Sequence, residues 1–91
     1  MKLKFFATYR DFTGCKEADI AAPPDVWALL QTLKEQYGTA FGKKLLTPDG
    51  KDIGGETIIL VNGRNVGHLD GKDTTLLETD VVSIFPVVAG G

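Results

Sequence analysis

The strongest constraint on how this chain folds is a change of hydrophobic period at Val26. From there the apolar residues are Val26, Leu29, Leu30, Leu33 and Tyr37, spaced i, i+3, i+4, i+7 and i+11. That spacing draws one apolar stripe along a single helix, with Gln31, Lys34 and Glu35 on the other side. Asp25 stands just before it, where a carboxylate can accept the orphaned amide protons of the first turn. Gly38 stands just after and is expected to end the helix in a left-handed conformation. A helix with one apolar stripe needs an apolar sheet to cover it, so the flanking segments must supply strands.

They carry that pattern. Leu3, Phe5 and Ala7 alternate with Lys2, Lys4 and Phe6, the period of a half-buried strand. The interval Tyr9-Arg10-Asp11-Phe12, closed by a turn at Gly14, leaves room for a helical turn. Glu17 to Ile20 reads as a second strand pairing with the first as a hairpin. Pro23-Pro24 then interrupts the ladder. Thr39 to Glu56 is the least periodic stretch. Phe41 and Leu45 would share one face of a short helix, Pro48-Asp49-Gly50 makes a turn, and Gly54-Gly55 is expected to give a mobile approach to the next strand. Thr57-Ile58-Ile59-Leu60-Val61 is a near-continuous β run. Asn62-Gly63 marks a two-residue hairpin, because both residues tolerate positive φ, and Arg64-Asn65-Val66 returns beside it. Leu76 and Leu77 suggest a short packed segment, and Asp80 to Phe85 is the last strand. The predicted class is α+β, a mixed four- to five-stranded sheet with one main helix packed on one face.

After that strand the chain reads Pro86-Val87-Val88-Ala89-Gly90-Gly91. Proline is expected to interrupt the ladder at position 86. The two glycines strip every side chain from the neighbourhood of the last carbonyl. The expected division is a domain over residues 1–85 and a flexible tail over residues 86–91. The α-carboxylate on Gly91 is then ionised at neutral pH and sterically open.

Composition narrows the class further. Ninety-one residues suit one core and are too few for two. The formal charge is −2, with acids and lysines interspersed, so no basic stripe points to a nucleic acid. No apolar run approaches a membrane span, and Met1-Lys2-Leu3-Lys4 lacks the shape of a signal peptide. The single cysteine suits a reducing compartment, and the expected setting is the cytoplasm. Gly71-Lys72 is not a phosphate-binding loop, which would need glycine at Val66 and Ser or Thr at Asp73. No Cys/His spacing suggests a metal.

Three segments together resemble the ubiquitin-like β-grasp sulfur carriers, most closely the MoaD family, the small subunit of molybdopterin synthase. They are Lys4-Phe5-Phe6-Ala7 with Arg10 and Gly14, the Val26–Gly38 helix, and Asp80 to Pro86 ending in Ala89-Gly90-Gly91. Two departures stand out. Many relatives have two prolines where this chain has Pro86-Val87, and the Thr39–Glu56 segment is longer than in the smallest members. Thiamine-pathway carriers resemble the chain less, being typically shorter and lacking the Phe-Phe-Ala opening.

The resemblance implies that a partner adenylates the Gly91 carboxylate, which is then converted to a thiocarboxylate, with Gly90 giving access. Implied partners are an adenylyltransferase related to ubiquitin-activating enzymes, which holds the ATP, and the large subunit of molybdopterin synthase. A sulfur donor is also implied, and no cofactor is expected on this chain. The same activated carboxyl would also serve a protein modifier joined to lysines, or a carrier of another pathway such as thiamine synthesis. Ordering the tail in a partner channel costs about 1–2 kcal/mol per residue. Val87, Val88 and Ala89, with Pro86, are the tail residues able to offset it by contact. By alternation Phe6 and Phe85 should point away from the helix and form a partner-binding surface. Trp27 reads as a boundary packing residue, Cys15 as an ordinary thiol, His68 as an exposed turn residue, and Arg10 and Lys72 as solvated charges.

Overall fold

In the computed structural model, which describes residues 1–87, the first and last described strands lie side by side. Strand β5 (Val81–Pro86) runs parallel to β1 (Lys2–Phe5), with Lys2 opposite Val81 and Phe5 opposite Ile84. On the other side of β1, β2 (Glu17–Asp19) pairs antiparallel. On the other side of β5, β3 (Thr57–Val61) pairs antiparallel and carries the short β4 (Arg64–Asn65) beyond it. The sheet order is β2-β1-β5-β3-β4, so the last strand of the sequence is the central one. This is the β-grasp, ubiquitin-like fold that the family resemblance implies, built on the α+β pattern that the alternation and the helical stripe predict.

One face of the sheet is covered by α2 (Val26–Tyr37). Its stripe is buried as spaced: Val26, Leu29, Leu30 and Leu33 meet Leu3, Phe5, Ile59, Val82 and Ile84 in one core. Each such aliphatic side chain contributes roughly 1.5–3 kcal/mol of burial. The Asp25 carboxylate accepts from the Ala28 amide at 2.9 Å, which makes it the N-cap. Gly38 departs from expectation. Its φ is +99° but its ψ is 169°, an extended conformation open to glycine rather than the left-handed helical one. That geometry ends α2 and aims the chain directly into a further helix.

This is α3 (Thr39–Leu45), and Phe41 and Leu45 are fully buried on its inner face. Phe41 sits among Phe5, Tyr9, Phe12 and Tyr37, stacked on Phe12 at 5.2 Å and edge-on to Tyr9 at 5.3 Å. Tyr9 opens α1 (Tyr9–Thr13), so the interval after β1 is helical and contributes to the core. Ala7 was expected to extend the inward face of β1. Instead β1 ends at Phe5, and Ala7 is exposed with φ +52°, because the chain must turn there to bring Tyr9 inward.

The stretch from Leu46 to Glu56 packs locally, and Gly54, expected in a mobile approach, is bonded into it. Leu46 bridges Ile53, Thr47 N–H donates to the Asp52 carbonyl at 2.9 Å, and Gly54 N–H donates to the Leu45 carbonyl at 2.8 Å. The Asp49 carboxylate accepts from the Thr47 hydroxyl at 2.6 Å and the Lys51 amide at 3.0 Å, and these bonds hold its pKa below the usual value. Gly54 is buried, and a Cβ there would lie 2.7 Å from the Leu46 carbonyl oxygen. Beyond β3, Asn62 and Gly63 both have positive φ, as the hairpin requires. Leu76 is buried but Leu77 is 59% exposed, so only half of that pair packs. Lys72 is not simply solvated. It donates to the Lys51 carbonyl at 3.0 Å and lies 5.2 Å from the centre of the Trp27 ring. Cys15 is half-buried against the core and His68 is exposed in a 3-10 turn. No helix among the described residues is long and apolar enough to cross a membrane.

Two stability predictions come from this packing. Gly54→Ala should cost about 1–3 kcal/mol by forcing Leu46 and its neighbours apart. Gly55→Ala meets nothing within 4 Å and should be neutral or slightly stabilising; equal urea midpoints for the two variants would refute the close approach. Burial raises the Tyr9 pKa, against the opposing bond from Thr57 and with some help from the Glu56 charge. A raised phenol pKa gives stability that is complete below the unfolded value of about 10 and is lost as pH rises from there through the folded value. Urea midpoints should therefore fall above pH 10 less steeply in Tyr9→Phe than in the parent, with burial of Tyr37 supplying part of the remaining slope.

Candidate functional site

The face of the sheet turned away from the helices has an aromatic corner. On β1 and β5 the inward residues are Leu3, Phe5, Val82 and Ile84, so Phe6 and Phe85 fall on the opposite face. Their rings meet edge-to-face with centroids 5.7 Å apart. Phe6 is 37% exposed and Phe85 half-buried. The alternation expected for these two residues is what the backbone does.

Two further side chains complete this face. Register places Ile58 opposite Phe85 and Leu60 opposite Ser83. Phe6, Ala7, Leu60, Ser83, Phe85 and Pro86 line a shallow apolar groove of about 340 Å³. Leu60 could not be assigned a face from the sequence, because every residue from Ile58 to Val61 is apolar and only the pairing with β5 sets the parity. Arg10 is the other missed neighbour. Its Nε donates to the Phe5 carbonyl at 2.8 Å and its guanidinium lies 5.6 Å from the Phe6 ring centre. It is half-buried and holds the rim of the groove, where a solvated charge had been expected.

Pro86 does not break the ladder. It lies within β5, opposite Thr57, and Val87 N–H donates to the Glu56 carbonyl at 2.8 Å. Asn62 N–H donates to the Val81 carbonyl at 2.8 Å, so the bonded pairs on this side are the odd-numbered residues of β5. An amide proton at Pro86 would point toward β1, which has already ended, so its loss costs no ladder bond. Val87 is 51% exposed. The expected tail sites Val88, Ala89, Gly90 and Gly91 lie outside the described residues.

A larger groove of about 550 Å³ opens on the helix side, between Lys43 and Lys44 of α3, with Leu46 just after it, and the Gly54-Gly55-Glu56 approach to β3. It shares Lys44 and Glu56, whose charged groups are 3.7 Å apart, with a smaller recess lined by Tyr9, Pro86 and Val87. Pro86 and Val87 thus lie where the two faces of the domain meet.

Comparison with known proteins agrees with this architecture. The profile of the ThiS family matches residues 3–91. Small archaeal modifier protein 3 of Haloferax volcanii is 40% identical over the whole chain and 98% of its own length. The solution structure of small archaeal modifier protein 1 from Methanosarcina acetivorans superposes with a TM-score of 0.82 at 32% identity, covering 99% of this chain and 94% of that one. A putative molybdopterin converting factor subunit 1 from Pyrococcus furiosus gives 0.74 at 30% identity, covering 96% and 95%. These matches embrace carriers and modifiers together and do not single out MoaD. With its β-grasp sheet and the profile match running from β1 to Gly91, the chain belongs to the ThiS family of ubiquitin-like proteins.

Proposed function

We propose that this chain is a sulfur carrier acting in the cytoplasm as the small subunit of a molybdopterin synthase. The observation that carries the reading is one of position: the uncovered Phe6/Phe85 groove and the root of the tail share Pro86. A partner that covers the groove therefore receives the tail at its edge. The aromatic corner supplies affinity, Pro86 and Val87 set the exit from the sheet, and Val88 and Ala89 thread the partner's channel. Gly90 and Gly91 keep the reacting carbonyl bare.

The chemistry follows from the carboxylate. Its charge repels nucleophiles, and oxide is a poor leaving group. An adenylyltransferase related to ubiquitin-activating enzymes, holding the ATP, would join the Gly91 carboxylate to the α-phosphate and release pyrophosphate. A sulfide-equivalent donor would then displace AMP and leave the thiocarboxylate. Docked on the large synthase subunit, that sulfur would be passed to the pterin precursor of the molybdenum or tungsten cofactor. No cofactor on this chain is required by the scheme.

Incubation with the adenylyltransferase, ATP and a sulfur donor should raise the intact mass by one oxygen-to-sulfur exchange. A chain extended by one residue beyond Gly91 should remain unchanged in mass, and conversion of that extended chain would refute the tail mechanism. Phe85→Ser should fold but bind the partner at least about thirtyfold more weakly, the loss of roughly 2 kcal/mol expected of a hot spot.

A second reading is favoured by the whole-length identity to a small archaeal modifier protein: the same activated carboxyl would be joined to lysines of other proteins. Branched peptides carrying Gly91 in amide linkage to a lysine, recovered from cells, are its expected signature. Their absence where the thiocarboxylate accumulates would leave the carrier reading alone.

A further inference from the structure

The last backbone bond of the described residues is Val87 N–H to the Glu56 carbonyl, at 2.8 Å. That carbonyl does not stand alone. The Tyr9 hydroxyl lies 3.2 Å from it and 2.6 Å from Thr57 Oγ1. Thr57 Oγ1 in turn donates to the Lys44 carbonyl, also at 2.6 Å. A threonine hydroxyl has one proton, so with that proton on Lys44 the short contact to Tyr9 must use the phenol's proton. The phenol proton is then directed at Thr57 Oγ1 and, more weakly, at the Glu56 carbonyl. Tyr9 and Thr57 are both buried, at 1% and 8% exposure. Phe41 and Phe12 pack on the Tyr9 ring and leave it little freedom to turn.

We propose that Tyr9 is a positioning residue for the tail, with Thr57 sharing its phenol proton: Tyr9 donates to the Glu56 carbonyl that holds Val87, and so sets the direction in which the chain leaves the sheet. The proposal rests on the reading that the tail works inside a partner. Three elements meet in this clamp, α1 through Tyr9, α3 through the Lys44 carbonyl and β3 through Thr57. Pro86 cannot add an amide bond, so the clamp governs the last bonded amide among the described residues. A reacting carbonyl a few residues further on amplifies any rotation at its root, and misplacement by about 1 Å can cost on the order of a hundredfold in rate. The docking groove lies on the other face and does not include either side chain. Loss of the clamp should therefore slow the adenylation step without weakening docking.

The test uses the full chain with Tyr9→Phe, Thr57→Val and Thr57→Ser. Amide hydrogen exchange followed by NMR should show Val87 exchanging about tenfold faster or more in Tyr9→Phe, and no faster than the parent in Thr57→Val, where the phenol proton is freed for the Glu56 carbonyl. Ile59 and Ile84 should be unchanged, and Thr57→Ser should keep the parent rate. With the adenylyltransferase, the kcat of chain-dependent ATP–pyrophosphate exchange should fall several-fold in Tyr9→Phe at constant KM for the chain. The double variant should behave as Tyr9→Phe alone, because Thr57 reaches that carbonyl only through the phenol proton. Equal acceleration at Val87, Ile59 and Ile84 would mean general loosening and would overturn the clamp. Faster Val87 exchange with unchanged kcat would overturn its role in delivery. A parent chain that the enzyme never adenylates overturns the carrier reading and the delivery role with it, whereas the exchange rates still decide whether the clamp exists.

Discussion

The parallel pairing of β1 with β5 is the constraint on which the rest of the molecule depends. It joins the first strand of the sequence to the last and puts β5 at the centre of the sheet, flanked by β1 and β3. Parallel neighbours cannot be linked by a tight turn, so the intervening chain must cross one face, and α2 covers the core as it does so. The same pairing carries Phe6 to Phe85 and leaves the opposite face bare. Without it there would be neither an aromatic corner nor a fixed position for Pro86 and Val87.

Much of this was legible in the sequence because period alone decides which residues face inward. Leu3, Phe5, Val82 and Ile84 lie on the helix side, and Phe6 and Phe85 on the other, as alternation requires. The Val26–Tyr37 helix and its Asp25 cap were equally plain. Legibility failed where tertiary contact, not local pattern, sets the outcome. Ala7 fits the strand period but gives way to the turn that buries Tyr9. Gly54 looks like a flexible residue and is instead a point of close approach to the Leu46 carbonyl. Pro86 looks like a ladder breaker, yet its missing proton falls where no strand is paired. Arg10 and Lys72 carry charges that ordinarily face water, but backbone carbonyls and aromatic rings across the fold claim them.

The two sides of the sheet divide the labour differently. The helix side is an aromatic and aliphatic core centred on Phe41, whose neighbours come from β1, α1 and α2. The open side has an apolar corner at one end of β1 and β5, while Lys2 and Lys4 lie nearer the β2 edge, where Lys2 is 3.8 Å from Glu17. An exposed ion pair of this kind is worth little in stability but discourages further strands from adding to that edge. The apolar corner is thus bounded by charge on one side and by Pro86 on the other.

The central place of β5 also bears on how the protein is made. Synthesis runs from the N-terminus, and β1, α2 and β3 emerge well before the strand that must lie between β1 and β3. Until Val81–Pro86 is inserted, Phe6 has no Phe85 to meet and the groove does not exist. A chain truncated within β5 therefore never brings Phe85 against Phe6. The pair on the open face forms only once synthesis has passed the strand at the centre of the sheet.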